Sequence, residues 1–549
     1  MDTSRVIVTV IISLVLIIAY QELVLKRLYP PQTQSAPANK NLPTSAASPS
    51  TTSAEAPLTM APGATPSAAA PGAPEHTYQV ETNLFIATFT SHGGRLRSLK
   101  LKKYKQFAGP TSPLYEMVRA PYGGRLPLGA LLTHSGQLFD DSAMTYTSSS
   151  PDKVSVDGGA STLTLDGQTP DGEKIEKTFT FKNDTYAFDM DVTAAGPAAP
   201  DELGISMSQP LGTLTGYRDY PELQADVGDK VFTQLEKKLK QGVPPVSGTI
   251  TFAGFGDRYF LGAFLPSSPA SGTLLMAYAD DEAIARLLFP KAMHVSTQVY
   301  MGPKLLEALE SVNPSLHKAI DFGWAGILAL AFLRALKLFH LIAPNWGVDI
   351  LLMTAAIRIA FLPLSIKSQR SMLKMQRLQP QMTKLREKYK DNNDQLQREM
   401  MDLYKRNHVN PLGGCAPMAL QLPIFIGLYE ALLNSIELRH APFVGWINDL
   451  SVPDCLHISW MPQLPLVPCH GLPVLVLLMG LSSFGQQYLT PTSPDPNQQK
   501  MMMLTPLIFT VMLINFPSGL SLYYFASNML GVIQQFFLNR EMKSYTPAT

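Results

Sequence analysis

The sequence predicts a polytopic α-helical membrane protein of six spans, five of them forming a core, with a large β-sandwich domain outside the membrane. Three observations lead there. The chain is apolar for its 549 residues, 46% hydrophobic against 16% charged, a balance that fits membrane spans joined to a soluble part. Apolar runs gather at the N-terminus and in the C-terminal third. Between them, stretches such as YQVETNLFIATFT alternate apolar and polar residues and are separated by turn residues, as half-buried strands do. The formal net charge of +1, with its positive residues in short stretches, argues against a nucleic-acid binder.

Taken in order, residues 6–20 read VIVTVIISLVLIIAY, with Lys26 and Arg27 behind them. No small-residue cleavage site follows, which favours a retained anchor over 1–28 rather than a signal peptide. Residues 29–77 are Pro, Ala, Ser and Thr with little charge, a composition that buries no core and reads as a linker. The β domain is expected over 78–302, with a turn at Asn183-Asp184 inside KTFTFKNDTYAFDMDV. His76, His92, His134 and His294 are scattered through it without a catalytic or metal-ligand spacing. Residues 303–342 hold an amphipathic stretch and then FGWAGILALAFLRALKLFHLI at 322–342.

Topology decides how that last run is read. Residues 365–407 carry eleven Lys and Arg against five Asp and Glu, which makes this loop cytoplasmic. With the N-terminus inside and the β domain outside, the helix holding Arg358 must bring the chain back in. A span at 322–342 would invert that, so this run, interrupted by Arg334, Lys337 and His340, is expected to lie in the outer interface. The core over 343–540 then has further spans at 415–435, 464–489, 501–516 and 520–538, and the tail 541–549 ends inside.

The basic loop has its own pattern. Met375, Leu378, Met382, Leu385 and Tyr389 are spaced 3, 4, 3, 4, and after DNND at 391–394 come Leu396, Met400 and Leu403. This is a heptad seam on two arms and predicts an antiparallel helical hairpin. Pro380 kinks the first arm or starts a new helix.

Arg358 stands inside TAAIRIAFLPL at 354–364, where a charge at mid-membrane costs about 2.5–3.5 kcal/mol. Thr354 and Ser365 project to its side of the helix. In the last span Ser521, Tyr524, Asn528 and Gln535 share one face, and Gln421 adds a polar group at membrane depth. None of them neutralises a guanidinium, and Asp349, Glu430 and Glu437 fall toward the outer side. Either Arg358 snorkels to the inner headgroups, or these residues form a polar groove. Met501, Met502, Met503 and Met512 supply adaptable apolar surface. No phosphate loop, dinucleotide fingerprint or paired-His metal motif occurs, so no catalytic residue, cofactor or metal is expected. Of the three cysteines, Cys415 lies in an apolar run, whereas Cys455 and Cys469 pair in an oxidising compartment or remain free thiols.

Six motifs carry a resemblance: NWG at 345–347, Arg358 followed by Pro363 and Leu364, VNPLGGC at 409–415, QLPIF at 421–425, DPNQQK at 495–500 and FPSGLSLYY at 516–524. With them the chain resembles the YidC membrane protein insertases of Gram-negative inner membranes. The resemblance implies a periplasmic β domain and cytoplasmic termini. It also implies a groove open to the cytoplasm and to lipid, with Arg358 as its arginine. Beside the groove it implies an apolar slide involving Pro423, Phe425, Leu504 and Phe509. Nascent inner-membrane proteins, the Sec translocon, the ribosome through cytoplasmic loops, and membrane lipids are the partners it implies, with no cofactor and no enzymatic activity. The tail after Arg540 has only Lys543 as a further base, a departure from relatives with a basic ribosome-binding tail. Two other classes are weaker. A transporter of small anions lacks the paired repeats with broken helices, and a tethered sugar-processing enzyme rests on fold analogy alone.

Overall fold

The structure, a computed structural model, describes residues 74–549 apart from 120–123, 197–198, 211–220, 235, 391, 408, 410–415, 465–466, 469, 490–495 and 545–549. The expected N-terminal anchor and nearly all of the linker lie outside the described residues.

Alternation builds the β domain. In Lys174–Phe181, residues Ile175, Lys177, Phe179 and Phe181 face inward and their neighbours outward. The strand turns at Asn183-Asp184 and pairs antiparallel with Ala187–Ala195, Phe181 opposite Phe188. A five-stranded sheet, in the order Leu114–Glu116, Arg95–Lys105, Phe85–Thr90, Thr77–Glu81, Lys153–Ser155, packs against a larger sheet. Between them Phe85 and Phe89 meet Phe179, Phe181 and Phe188, with centroids 4.6–6.4 Å apart. Each buried ring contributes about 1.5–3 kcal/mol. Asn83 ties the sheets at the turn, its backbone N–H donating to Asn183 Oδ1 at 2.7 Å.

The larger sheet has two halves joined by one strand. Val246–Gly256 pairs through residues 246–249 with Ser271–Ala279 and through residues 253–256 with Phe260–Ser268. At Gly254 a Cβ would lie 2.1 Å from the Gly262 carbonyl oxygen, so the crossing demands glycine. One inward position is a charge. Lys177 is fully buried, yet its Nζ lies 2.5 Å from Asp141 Oδ2 and donates to the Gly93 carbonyl at 2.7 Å. Arg95 Nη2 reaches the other Asp141 oxygen at 2.6 Å. The tyrosine hydroxyl of Tyr146 donates to Asp141 as well, at 3.0 Å. The cluster satisfies itself, which is the condition for burying charge.

Past Pro303 the chain becomes helical. Leu306–Val312 (α1) and a 3-10 turn at Pro314–Ala319 lead to Gly326–His340 (α2). Ala329, Leu333 and Leu336 are the buried face of α2, while Trp324, Ile327, Leu328 and Leu338 are exposed around it. Lys337 bridges Glu307 at 2.7 Å and Glu437 at 2.8 Å. The stretch Gly323–His340 and Trp346–Met372 are, among the described residues, the two long and apolar enough to cross a membrane by length and composition.

The core helices follow. Trp346–Arg377 (α3) has 32 residues, about 48 Å at 1.5 Å per residue, more than the ~30 Å hydrocarbon core. The ring of His340 stacks on Trp346 at 3.9 Å, and its Nδ1 lies 2.6 Å from Asp349 Oδ2, joining α2 to α3. Gln379–Lys388 (α4) and Asn393–Arg406 (α5) form the hairpin, with Pro380 in the first turn of a new helix. Its seam buries Met375, Leu378, Met382 and Val409, with Met400, Leu403 and Tyr404 packed on them. Ala416–Asn434 (α6), Val474–Leu489 (α7), Pro496–Leu513 (α8) and Ser518–Ser544 (α9) complete the core. The span expected from 464 starts at Val474 instead. Pro473 precedes the helix, and Gly471–Leu472 is spent pairing with Leu456–His457, so the helix cannot begin earlier. Cys455, at that hairpin, is disulfide-bonded, and Cys469 lies outside the described residues.

One arginine seats the β domain on the core. Arg439, in the loop after α6, donates to the carbonyls of Lys105 at 2.8 Å and Gln106 at 3.0 Å. Its guanidinium lies 5.1 Å and 5.3 Å from the rings of Tyr115 and Phe260, which stack on each other at 3.7 Å. Such cation–π contacts add to the hydrogen bonds.

Candidate functional site

Three core helices each present polar groups to one cleft of about 50 Å³. From α3 come Thr354, Arg358 and Ser365, from α6 Gln421, and from α9 Tyr523, Ser527 and Gln534. Thr354 sits one turn before Arg358, with its hydroxyl donating back to the Ile350 carbonyl at 2.6 Å, a bond that occupies a buried hydroxyl within its own helix. Arg358 Nε donates to Ser527 Oγ at 3.0 Å. Gln421 Nε2 donates to the Tyr523 hydroxyl at 3.0 Å, and Gln534 Nε2 to Ser365 Oγ at 2.9 Å. Ile357, Phe361, Leu364 and Ile424 fill the remaining wall. Among the described residues no carboxylate lies within ion-pair distance of Arg358. The cleft therefore offers a half-buried positive charge, hydrogen-bonding groups around it, and an apolar frame.

Of the groove residues expected from sequence, Arg358, Thr354 and Gln421 line this cleft. Ser521, Tyr524, Asn528 and Gln535 do not. Ser521 and Gln535 are buried elsewhere, at 0% and 1% exposure. Asn528 Nδ2 donates to the Met479 carbonyl and to Ser482 Oγ, both at 3.3 Å, and so ties α9 to α7. Tyr524 packs on Phe425 at 5.4 Å and Phe509 at 5.3 Å. The reason is rotation: α9 carries a second polar stripe, Tyr523, Ser527 and Gln534, spaced 4 and 7, and each residue turns the helix by about 100°. Both stripes are legitimate by period. Which one meets α3 is set by packing of α9 between α3 and α7.

The expected slide residues fall on α6 and α8. Phe425 and Phe509 meet at 6.0 Å between ring centroids. Pro423 and Leu504 are half-buried, and beside them Leu422 and Leu507 are about 60% and 59% exposed. An apolar surface thus flanks the polar cleft. Among the described residues no three His, Cys, Asp or Glu gather as a metal site.

Residues 77–334 match the YidC periplasmic domain and residues 338–545 the 60Kd inner membrane protein family. The membrane protein insertase YidC of Geotalea daltonii is 32% identical over 555 residues, covering 98% of this chain and 99% of its own. The chain belongs to the YidC family. The membrane protein insertase YidC of Lawsonia intracellularis is 39% identical over 476 residues, covering 84% of this chain and 86% of its own. A solved structure, an active YidC insertase with its first transmembrane domain resolved, covers 86% of this chain and 95% of that one at 17% identity and a TM-score of 0.35. YidC proteins are a family of insertases and not of enzymes. The β-rich domain described above is the YidC periplasmic domain, and the helices from α3 onward belong to the inner-membrane part.

Proposed function

We propose that this chain inserts proteins into the inner membrane by holding a substrate's hydrophilic segment in the Arg358 cleft while its apolar segment passes along α6 and α8. The observation that carries this is the state of Arg358, half-buried with a neutral hydroxyl as its partner. A desolvated guanidinium without a counter-ion favours an arriving carboxylate, and acidic tails are the substrate segments that supply one. Phe425, Phe509, Pro423 and Leu504 offer the passing helix an apolar wall. Outward movement of an acidic tail gains about 2.3 kcal/mol per charge per 100 mV of membrane potential, so no chemical bond need be made.

The proposed topology has six crossings: one within 1–28, then α3, α6, α7, α8 and α9, with both termini cytoplasmic and α2 in the outer interface. The cleft opens to the cytoplasm. The reading divides the rest of the chain into a linker at 29–77, the β domain at 78–302, an interfacial segment at 303–342, the core at 343–540 with its hairpin at 365–407, and the tail at 541–549. Substrates are nascent inner-membrane proteins, with the Sec translocon, the ribosome at the cytoplasmic loops, and lipids as partners.

The test is protease protection of a short single-span protein with an acidic tail, added without nucleotide to liposomes holding the purified chain. Wild type should protect it, Arg358→Ala should lose most protection, and Arg358→Lys should keep part of it. Equal protection by all three removes Arg358 from the mechanism. No protection by wild type, together with Arg358-dependent uptake of a small anion, would turn the reading toward transport.

A further inference from the structure

A second cavity, of about 560 Å³, lies where the β domain, α1 and α2 meet. Its size falls within the range of sites for small ligands. The strands Glu222–Val227 and Lys230–Gln234 supply one wall, and α2 supplies another through Gly326, Leu330 and Arg334, four residues apart and hence on one face. The charges around it are mixed. Lys318 is taken, its Nζ 2.8 Å from Asp226 Oδ2. Arg334, Glu310 and Asp321 are exposed, and among the described residues none of the three has an ion-pair partner. Asp321 spends one oxygen on the backbone N–H of Gly323, at 2.8 Å.

One open guanidinium and two open carboxylates at one cavity call for a ligand that carries both signs. A guanidinium binds a phosphodiester through two parallel N–H donors, and two carboxylates suit an ammonium with N–H groups to give. The rim adds an apolar requirement. Trp324, in the turn before α2, and Ile327, in its first turn, are 77% and 87% exposed and follow the cavity-lining Gly323 and Gly326 in sequence. Amphipathic helices bury such faces at the boundary of headgroups and acyl chains. We propose that this cavity holds the headgroup of an outer-leaflet phospholipid bearing a primary amine, the ethanolamine class, with its phosphate on Arg334, its ammonium between Glu310 and Asp321, and its acyl chains beside Ile327. The proposal rests on the interfacial placement of α2. A choline headgroup has no N–H to donate, and an anionic glycerol headgroup meets two carboxylates.

Native mass spectrometry of the full chain in detergent, with dioleoyl phosphatidylethanolamine, phosphatidylcholine or phosphatidylglycerol added singly, tests it. The expected result is one retained ethanolamine lipid, and about tenfold weaker retention in Arg334→Ala, as loss of a charge-assisted contact implies. The double variant Glu310→Gln with Asp321→Asn should erase the preference for ethanolamine over choline while leaving thermal unfolding in place. Equal retention of all three lipids, preference for the glycerol lipid, or variants that behave as wild type would overturn the proposal. Insertion activity is read separately, so a failure here leaves the Arg358 account standing.

Discussion

Arg358 is held by little, and that gives its neighbours measurable roles. Ser527→Val removes the acceptor of its Nε and leaves a buried donor unpaired, at a cost of about 1–3 kcal/mol. Thermal unfolding in detergent should register the loss, whereas Gln381→Ala, exposed on the hairpin, should not. In the β domain the corresponding residue is Asp141, which accepts from Arg95, Lys177 and Tyr146 together. Asp141→Ala strands the buried Lys177 and leaves Arg95 with Asp140 alone, which should cost about 3–5 kcal/mol, seen as early loss of β-sheet circular dichroism on heating the full chain. At this scale the sequence is informative where a residue breaks a pattern. Arg358, Thr354 and Gln421 are polar within apolar runs, and all three reach the cleft. Tyr523, Ser527 and Gln534 break nothing that Ser521, Asn528 and Gln535 do not also break, so no period could separate the two sets.

Elements were legible in proportion to how local their causes are. The hairpin seam depends on spacing alone, and Met375, Leu378 and Met382 are buried in it. Met382→Asp should open that seam. Hydrogen exchange over α4 and α5 should rise at least about tenfold, the effect of ~1.4 kcal/mol lost, while α7 and α9 stay protected; faster exchange throughout the core would contradict an independent hairpin. The start of α7 was less legible because Pro465, Pro468 and Pro473 lie among apolar residues, and hydropathy does not distinguish a proline-rich apolar loop from a helix. Lys177 shows the reverse case: a lysine on the inward face of a strand conflicts with the alternation rule until Asp141, far off in sequence, is brought to it.

Over the whole molecule, the β domain meets the core through Arg439, and α1 and α2 meet it through Lys337 between Glu307 and Glu437. No sequence period announces such contacts, since their partners are hundreds of residues apart or on different elements. Arg439→Ala should loosen the seat without unfolding either part: spin-label distances between the β domain and α7 should broaden, and those within the β domain should not. Insertion itself depends on how the cleft and the flanking apolar face divide a substrate between them. The most direct measurement is site-specific photo-crosslinking during insertion, with the probe at Gln421 or Ser527 in one set and at Leu422 or Leu507 in the other. The account expects the cleft probes to capture the substrate's hydrophilic tail and the outward probes its apolar segment. Capture of the apolar segment at Gln421 and Ser527, or of neither segment at any of the four, would contradict it.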